Sequence, residues 1–272
     1  MVFENPQSAA SSGETVGAVP TVWRREPGRR VLGLTGRLPF LGADVWTLPE
    51  VVWCNPRGKP LSTQAMVTLP IDGPCALGPQ AWEGWLDQLA CRRLADVDAV
   101  REALRALLTE ALWDGGPVRA SPGLRLGVAP ITQAVPPSSM EPVVLDRLDL
   151  DCEDHAPDAA WLTAALDEQA VGEQLVTHRF GLVEPESGHR RGASLTVRYH
   201  GPQIEQAGLL RHLMAFRGRR MAPEEAVEQV FMDLSRTCRP ARLLVQAHFP
   251  RLGALELRAW RSSHPVTGVA VA

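Results

Sequence analysis

The five cysteines, Cys54, Cys75, Cys91, Cys152 and Cys238, are the strongest nucleophiles this sequence could offer, provided a thiol ionises. Their number is odd, they are scattered, and none forms a CxxC pair. Neither a disulfide framework nor a zinc knuckle is signalled, and a reducing compartment is expected. Cys75 and Cys238 are the thiols to consider first, although Cys238, just past a predicted helix end and directly before Arg239-Pro240, reads more simply as buried. His178, His189, His200 and His212 come at spacings of 11, 11 and 12, which resemble no metal-ligand pattern. Asp149 to His155 is rich in ligand types but lacks the glycine and terminal glutamate of a calcium loop, and no metal is expected. Glu224 follows Pro223 at a predicted helix start, where the helix dipole favours a carboxylate whatever else it does. Glu184, in the stretch Glu184-Pro185-Glu186-Ser187-Gly188, could serve as a general base, and His189-Arg190-Arg191 beside it could meet an anion. Both read more simply as an ordinary surface turn followed by a solvated charge run.

The elements that must position these groups follow from periodicity. Apolar residues at three- and four-residue spacing predict helices over Ala81 to Ala90, Asp98 to Trp113, Ile204 to Phe216 and Glu224 to Leu234. Alternating or β-rich stretches predict strands over Gln64 to Ile71, Val118 to Val128, Ala193 to Tyr199, Ala241 to Phe249 and Ala254 to Trp260. Laying Arg219 over Arg92, an offset of 127, brings Arg92–Val100 over Arg219–Val227 without a gap. A duplicated ββααββ unit is inferred, an α+β arrangement rather than a βαβ alternation. No GxGxxG follows any predicted strand. The Pro-, Ser- and Asp-rich stretch from Gln133 to Asp158 reads as the joint. The expected division is a tail over 1–22, an N-terminal unit over 23–132, a linker over 133–158 and a C-terminal unit over 159–272. Trp46, Trp53, Trp82, Trp85 and Trp260 fall mostly on apolar faces and read as core or interface rather than stacking platforms.

Composition bounds the remaining classes. In 272 residues, 45% hydrophobic and 22% charged content is a globular balance that excludes disordered and collagen-like chains. A formal charge of -3 gives no field for gathering phosphates, so nucleic acid is not an expected partner. Met1 to Gly17 carry Glu4 and Glu14 where a signal peptide would need a basic start and an apolar run, and no stretch approaches the ~20 apolar residues of a membrane span. A cytoplasmic protein without membrane contact is expected.

Leu38-Pro39-Phe40-Leu41-Gly42-Ala43-Asp44-Val45-Trp46, Glu50 and Trp53-Cys54-Asn55-Pro56-Arg57-Gly58-Lys59-Pro60 resemble the N-terminal half of the bimodular QueF nitrile reductases, which are NADPH-dependent 7-cyano-7-deazaguanine reductases. The resemblance resumes at Leu145-Asp146, Thr177-His178, Tyr199-His200-Gly201, Leu209 to Arg217, Val227 to Leu234 and Arg251 to Glu256, collinear after about Trp23. It implies a tunnelling fold of two tandem ββααββ units, associating as a homodimer, with a site that holds a purine-, 7-deazaguanine- or pterin-like ring through a glutamate.

The resemblance also places the family's chemistry on this sequence. Its nucleophilic cysteine position is Glu184, and the aspartate seven residues later is Arg191. Its glutamate-serine-lysine-serine helix motif falls at Gly78-Pro79-Gln80-Ala81. Its histidine-glutamate pair falls at Pro223-Glu224, so the ring-binding glutamate is Glu224. The cofactor-region turn is half kept as Arg251 and Gly253, with Leu252 and Ala254 as departures. A carboxylate attacks a nitrile far less readily than a thiolate and gives no thioimide. The expected function is therefore a ring-binding protein or diverged enzyme without thioimide chemistry. The alternatives are an NADPH-dependent nitrile reductase using an unmatched cysteine, and a structural partner of a complete homologue.

Overall fold

The computed structural model describes residues 22–113, 116, 122–127, 140–151, 156–165 and 169–266. Its elements run β1 (Val22–Arg24), α1 (Glu26–Val31), β2 (Leu41–Cys54), β3 (Pro60–Pro70), β4 (Cys75–Leu77), α2 (Pro79–Ala90), α3 (Val97–Trp113) and β5 (Gly123–Gly127). They continue as β6 (Pro142–Val144), β7 (Val171–Val183), β8 (Arg190–Gly201), α4 (Gln206–Met214), α5 (Pro223–Thr237), β9 (Arg242–Leu252) and β10 (Leu255–Ser262). Eight strands form one sheet in the order β5-β3-β2-β10-β9-β8-β7-β6, and β1 pairs separately with β4. The two halves meet where β2 pairs antiparallel with β10, Trp46 opposite Leu257 and Asp44 opposite Ala259.

All four predicted helices form, and their buried stripes explain why. In α3, Val100, Leu104, Leu108 and Leu112 recur every four residues and are buried against the sheet. In α2, Ala81, Trp82, Trp85 and Leu89 make the same stripe, and Trp82 packs against Trp46 of β2 with ring centroids 5.7 Å apart. The predicted strands form as well, that over Val118 to Val128 appearing as β5, with 118–121 and 128 outside the described residues. The two opening strands that show no clear periodicity, β2 and β7, are long and each breaks its alternation with a run of consecutive buried residues, Ala43–Trp46 and Phe180–Leu182. Trp46, Trp53, Trp82, Trp85 and Trp260 are buried, as expected of core side chains.

The inferred duplication is visible in the backbone. Cys54 N–H donates to Arg92 O and Leu94 N–H to Cys54 O, both at 2.9 Å. Arg219 and Met221, each 127 positions on, repeat this around Val183, 129 positions after Cys54: Val183 N–H donates to Arg219 O at 2.8 Å and Met221 N–H to Val183 O at 3.1 Å. The register irregularities between Leu48 and Val51 in β2 and between Thr177 and Phe180 in β7 are likewise equivalent. In the second half Asp146 holds that irregularity, accepting from Thr177 Oγ1 at 2.5 Å and from His178 N–H at 2.9 Å. Two stretches quoted for the family resemblance are thus joined by a structural bond.

The second half is a complete ββααββ unit; in the first, β5 is the one strand after the helices among the described residues. Cys152 and Pro136–Ser139 lie outside the described residues. No helix among the described residues is long and apolar enough to cross a membrane.

Candidate functional site

A cavity of about 400 Å³ opens between the halves, lined from the first by Trp23, Arg25 and Ala76 and from the second by Pro185, Met221 and Glu224, among others. Glu224 is placed there by Pro223, whose fixed φ begins α5 at a point where no N–H is needed. Its side chain is 1% exposed, and neither carboxylate oxygen has a hydrogen-bond partner among the described residues. Burial, and then the nearby Asp44, push its pKa up to about 8 against the opposing pull of Arg25 and Arg261. A buried acceptor pair without donors costs free energy, so a ligand bringing two N–H groups would relieve it. A larger open groove of about 1130 Å³ lies along Leu38–Gly42 and Ile71, and Glu224 does not line it.

Behind Glu224 stands a buried ionic network that ties the halves together. Arg261 donates to Asp44 at 2.8 Å and to Glu228 at 3.0 Å, and no part of its side chain is exposed. Arg25 reaches Asp44 at 2.7 Å, and Arg29 holds both oxygens of Glu228 at 2.9 and 2.7 Å. Burial alone would raise the Glu228 pKa, but Arg261, Arg29 and Arg25 outweigh it and hold the group down at about 2. Arg25 and Arg29 belong to β1–α1, so this N-terminal segment is clamped over the cavity by charge. Sequence reading missed the network because its members lie up to 217 positions apart. The available signal was a lone Asp44 in the apolar run Ala43–Trp46, the mark of a buried paired charge; Arg261 gave none, because Glu256 and Arg258 share its strand.

The surface-turn reading of Glu184 is corrected here. Glu184 is fully buried, and its carboxylate accepts from Arg191 Nε and Nη2 at 2.9 and 2.7 Å, Ser187 Oγ at 2.7 Å and Gln80 Nε2 at 3.2 Å. Arg191 is correspondingly no solvated loop charge; it turns inward, whereas His189 and Arg190 are exposed. The physical reason is reciprocal: a buried charge is stabilised by donors and a counter-charge, and Arg191, seven positions on across the β7–β8 turn, supplies both to Glu184 Oε2 while Gln80 donates to Oε1. With its oxygens occupied, Glu184 is poorly placed to take a proton from water. Arg191→Leu is expected to destabilise the fold by about 3 kcal/mol, because Glu184 would stay buried without its counter-charge. Urea denaturation checks this, and an unchanged midpoint would show the pair to be dispensable.

The neighbouring turn is packed just as specifically. Glu186 Oε1 accepts from the Trp23 indole N–H at 2.9 Å, across the seam. Gly78, the residue before α2, lies so close that an added Cβ would sit 2.9 Å from Trp23 Cζ2 and 3.0 Å from Glu186 Oε2. The positions where this sequence departs from the family pattern therefore touch through one cluster: Gly78 admits Trp23 and Glu186, Gln80 meets Glu184, and Glu184 meets Arg191.

The other sequence candidates lie elsewhere. Arg251 is exposed, and Gly253 takes φ 65° in the β9–β10 turn, where a Cβ would strike Glu83 and approach Pro79. Cys238 is buried beyond α5, its thiol pushed by burial up to about 11, and Cys75 is buried on β4. His212 is buried between Asp158 O at 3.1 Å and Asp233 at 3.4 Å. Among the described residues no group of three or more His, Cys, Asp and Glu is arranged to hold a metal ion.

Comparison with known proteins accounts for the collinear motifs. Residues 17–119 match the family described as nitrile reductase, 7-cyano-7-deazaguanine-reductase N-term, and residues 192–267 match the QueF-like protein family. The NADPH-dependent 7-cyano-7-deazaguanine reductase of Acidovorax ebreus (strain TPSY) is 36% identical over 239 residues, covering 88% of this chain and 85% of the relative. The chain belongs to the QueF nitrile reductase family. The reductase of the same name from Albidiferax ferrireducens is 38% identical over 244 residues, covering 87% of this chain and 84% of its own. The apo archaeosine synthase QueF-Like superposes with a TM-score of 0.32 at 18% identity, over 36% of this chain and 97% of its own. The α+β pair of units joined in one sheet, antiparallel except where β6 pairs with β7, is the tunnelling fold that membership in the QueF family implies.

Proposed function

We propose that this QueF-family protein binds a 7-deazaguanine- or purine-like ring in the seam cavity, Glu224 accepting from a ring N–H and an exocyclic NH2. The observation that carries the reading is the buried Glu224 carboxylate, both oxygens without a partner among the described residues, at the wall of a cavity of about 400 Å³. That volume is within the range of small-molecule sites. The relatives, by name, act on a 7-deazaguanine, which supports the ligand class.

The residues at the expected reaction centre argue against thioimide chemistry there. Glu184 is engaged by three side chains, and no cysteine is among the cavity's lining residues. Of the candidate cofactor positions, Gly253 is called for by its φ of 65° in the β9–β10 turn, and Arg251 is presented outward; neither lines the seam cavity.

A second reading is favoured by the relatives' names: reduction of 7-cyano-7-deazaguanine with NADPH, using a nucleophile from outside position 184. Cys75, next to the lining residue Ala76, is the thiol that this reading points to. Calorimetric titration of 7-cyano-7-deazaguanine, run beside an NADPH-consumption assay with an active relative as control, separates the two. Binding without turnover is the expected result. Turnover abolished by Cys75→Ser would establish the second reading, and absence of binding would remove both.

A further inference from the structure

A carboxylate reads only the edge of a planar ring, and the seam cavity also has one flat wall. Of its lining residues, Trp23 is the single aromatic. It differs from five tryptophans of the core. The indole nitrogens of Trp46, Trp53, Trp82, Trp113 and Trp260 are buried without partners in the core, whereas Trp23 is half-buried and its indole N–H is bonded. Three observations fix where the ring stands. Pairing of β1 with β4 sets Trp23 opposite Ala76, itself a lining residue. Glu186 holds the indole nitrogen from the other half at 2.9 Å. The missing side chain at Gly78 leaves the space that the six-membered edge of the ring fills.

We propose that Trp23 is the stacking wall of the Glu224 cavity and that Glu186 is the positioning residue that sets the plane of its indole. The inference rests on the ring-binding reading of Glu224 and adds a second determinant to it. Flat heterocycles stack on aromatic side chains whatever their substituents, and the covered face keeps water from competing for the edge hydrogen bonds. The same arrangement gives the turn 184–189 a purpose: buried Glu184 and Arg191 anchor it, and Glu186 projects from it to Trp23. A ligand recognised this way is planar on both faces, and a ring saturated at one position would be refused.

The test is titration of 7-cyano-7-deazaguanine into wild type, Trp23→Phe, Trp23→Leu, Glu186→Gln and Glu186→Ala, read by both calorimetry and tryptophan emission. Trp23→Leu is expected to weaken binding about five- to hundredfold, the range of base-on-aromatic stacking. Trp23→Phe keeps a flat wall and is expected to bind within about threefold of wild type while the ligand-induced quenching of emission disappears. Glu186→Gln retains an acceptor for the indole and is expected to bind normally, whereas Glu186→Ala binds several-fold more weakly. Quenching that persists in Trp23→Phe, or unchanged affinity in Trp23→Leu, would overturn the proposal while leaving Glu224 in place. Failure of wild type to bind any planar ring would overturn it together with the ring-binding reading. Melting temperatures of all variants identify any loss that comes from unfolding, and Trp23→Phe preserves the test if Trp23→Leu does not fold.

Discussion

Glu224→Gln is expected to lose ring binding by about a hundredfold or more and yet to melt higher than the wild type at pH 8. The two effects share one cause. An amide cannot accept two hydrogen bonds from an N–H and an NH2 side by side, and each such bond to a charged acceptor is worth about 1.5–3 kcal/mol. The empty carboxyl, however, is a burden to the fold. Its pKa of about 8, raised first by burial and then by Asp44, lies far above the 4.5 of a free glutamate. Below pH 4.5 the group is neutral in folded and unfolded chains alike and costs nothing. Between pH 4.5 and 8 the unfolded chain ionises while the folded one keeps its proton, so stability falls as pH rises, and above 8 the loss is complete. The amide avoids this loss. The melting gap between variant and wild type should therefore open above pH 4.5 and be widest from pH 8 upward; a gap that is equal at pH 5 and pH 9 would contradict the assignment. Affinity of the wild type for a neutral ring should climb between pH 6 and 8, by up to about tenfold per pH unit, and then level off.

Arg261→Met should be the most damaging single change outside the cavity, lowering stability by about 3–5 kcal/mol, a large part of the 5–15 kcal/mol that typical domains possess. Arg261 donates to both Asp44 and Glu228, at 2.8 and 3.0 Å, whereas Arg25 reaches Asp44 at 2.7 Å and Glu228 only at 3.6 Å, and Arg261 lies on β10 directly across the seam from β2. Without it, Asp44 keeps Arg25 and Glu228 keeps Arg29, but two buried carboxylates lose the guanidinium between them. Lysine would not rescue the site, because an ammonium lacks the fork that reaches both acids. Glu228 gives the sign of the acid response. Its folded pKa is held down at about 2, so its stabilisation is present above pH 4.5 and is lost as pH falls through 2. In Arg261→Met that loss should begin at higher pH. Denaturant midpoints measured at pH 4 and pH 7 check both statements; a variant within about 0.5 kcal/mol of wild type would show the network to be replaceable.

The helices and most strands were legible because each carries its own signal within a few residues: the four-residue stripe of α3, the alternation in β8, Pro223 opening α5. The duplication was legible because Arg92–Val100 and Arg219–Val227 still match in sequence, and it reappears as equivalent backbone bonds to Cys54 and Val183. Glu184 was misread for a physical reason. Glu-Pro-Glu-Ser-Gly has the composition of a solvated turn, and nothing local reveals that Gln80, 104 positions earlier, closes over it. Trp23 was hidden for the same reason, since its meaning depends on Glu186, 163 positions away. Local periodicity encodes elements; pairing across the seam is a property of the folded chain.

That seam also orders events in time. Asp44 on β2 leaves the ribosome 217 residues ahead of its partner Arg261. During synthesis the first half has neither β10 beside β2 nor a counter-charge from the C-terminal strand, and its open edge cannot yet be covered. Contacts so far apart in sequence form slowly after release. The seam cavity therefore matures as a final step, and a nascent chain stalled before β10 would expose a sticky strand edge whose Asp44 holds Arg25 alone, and exposed edges of this kind are aggregation-prone.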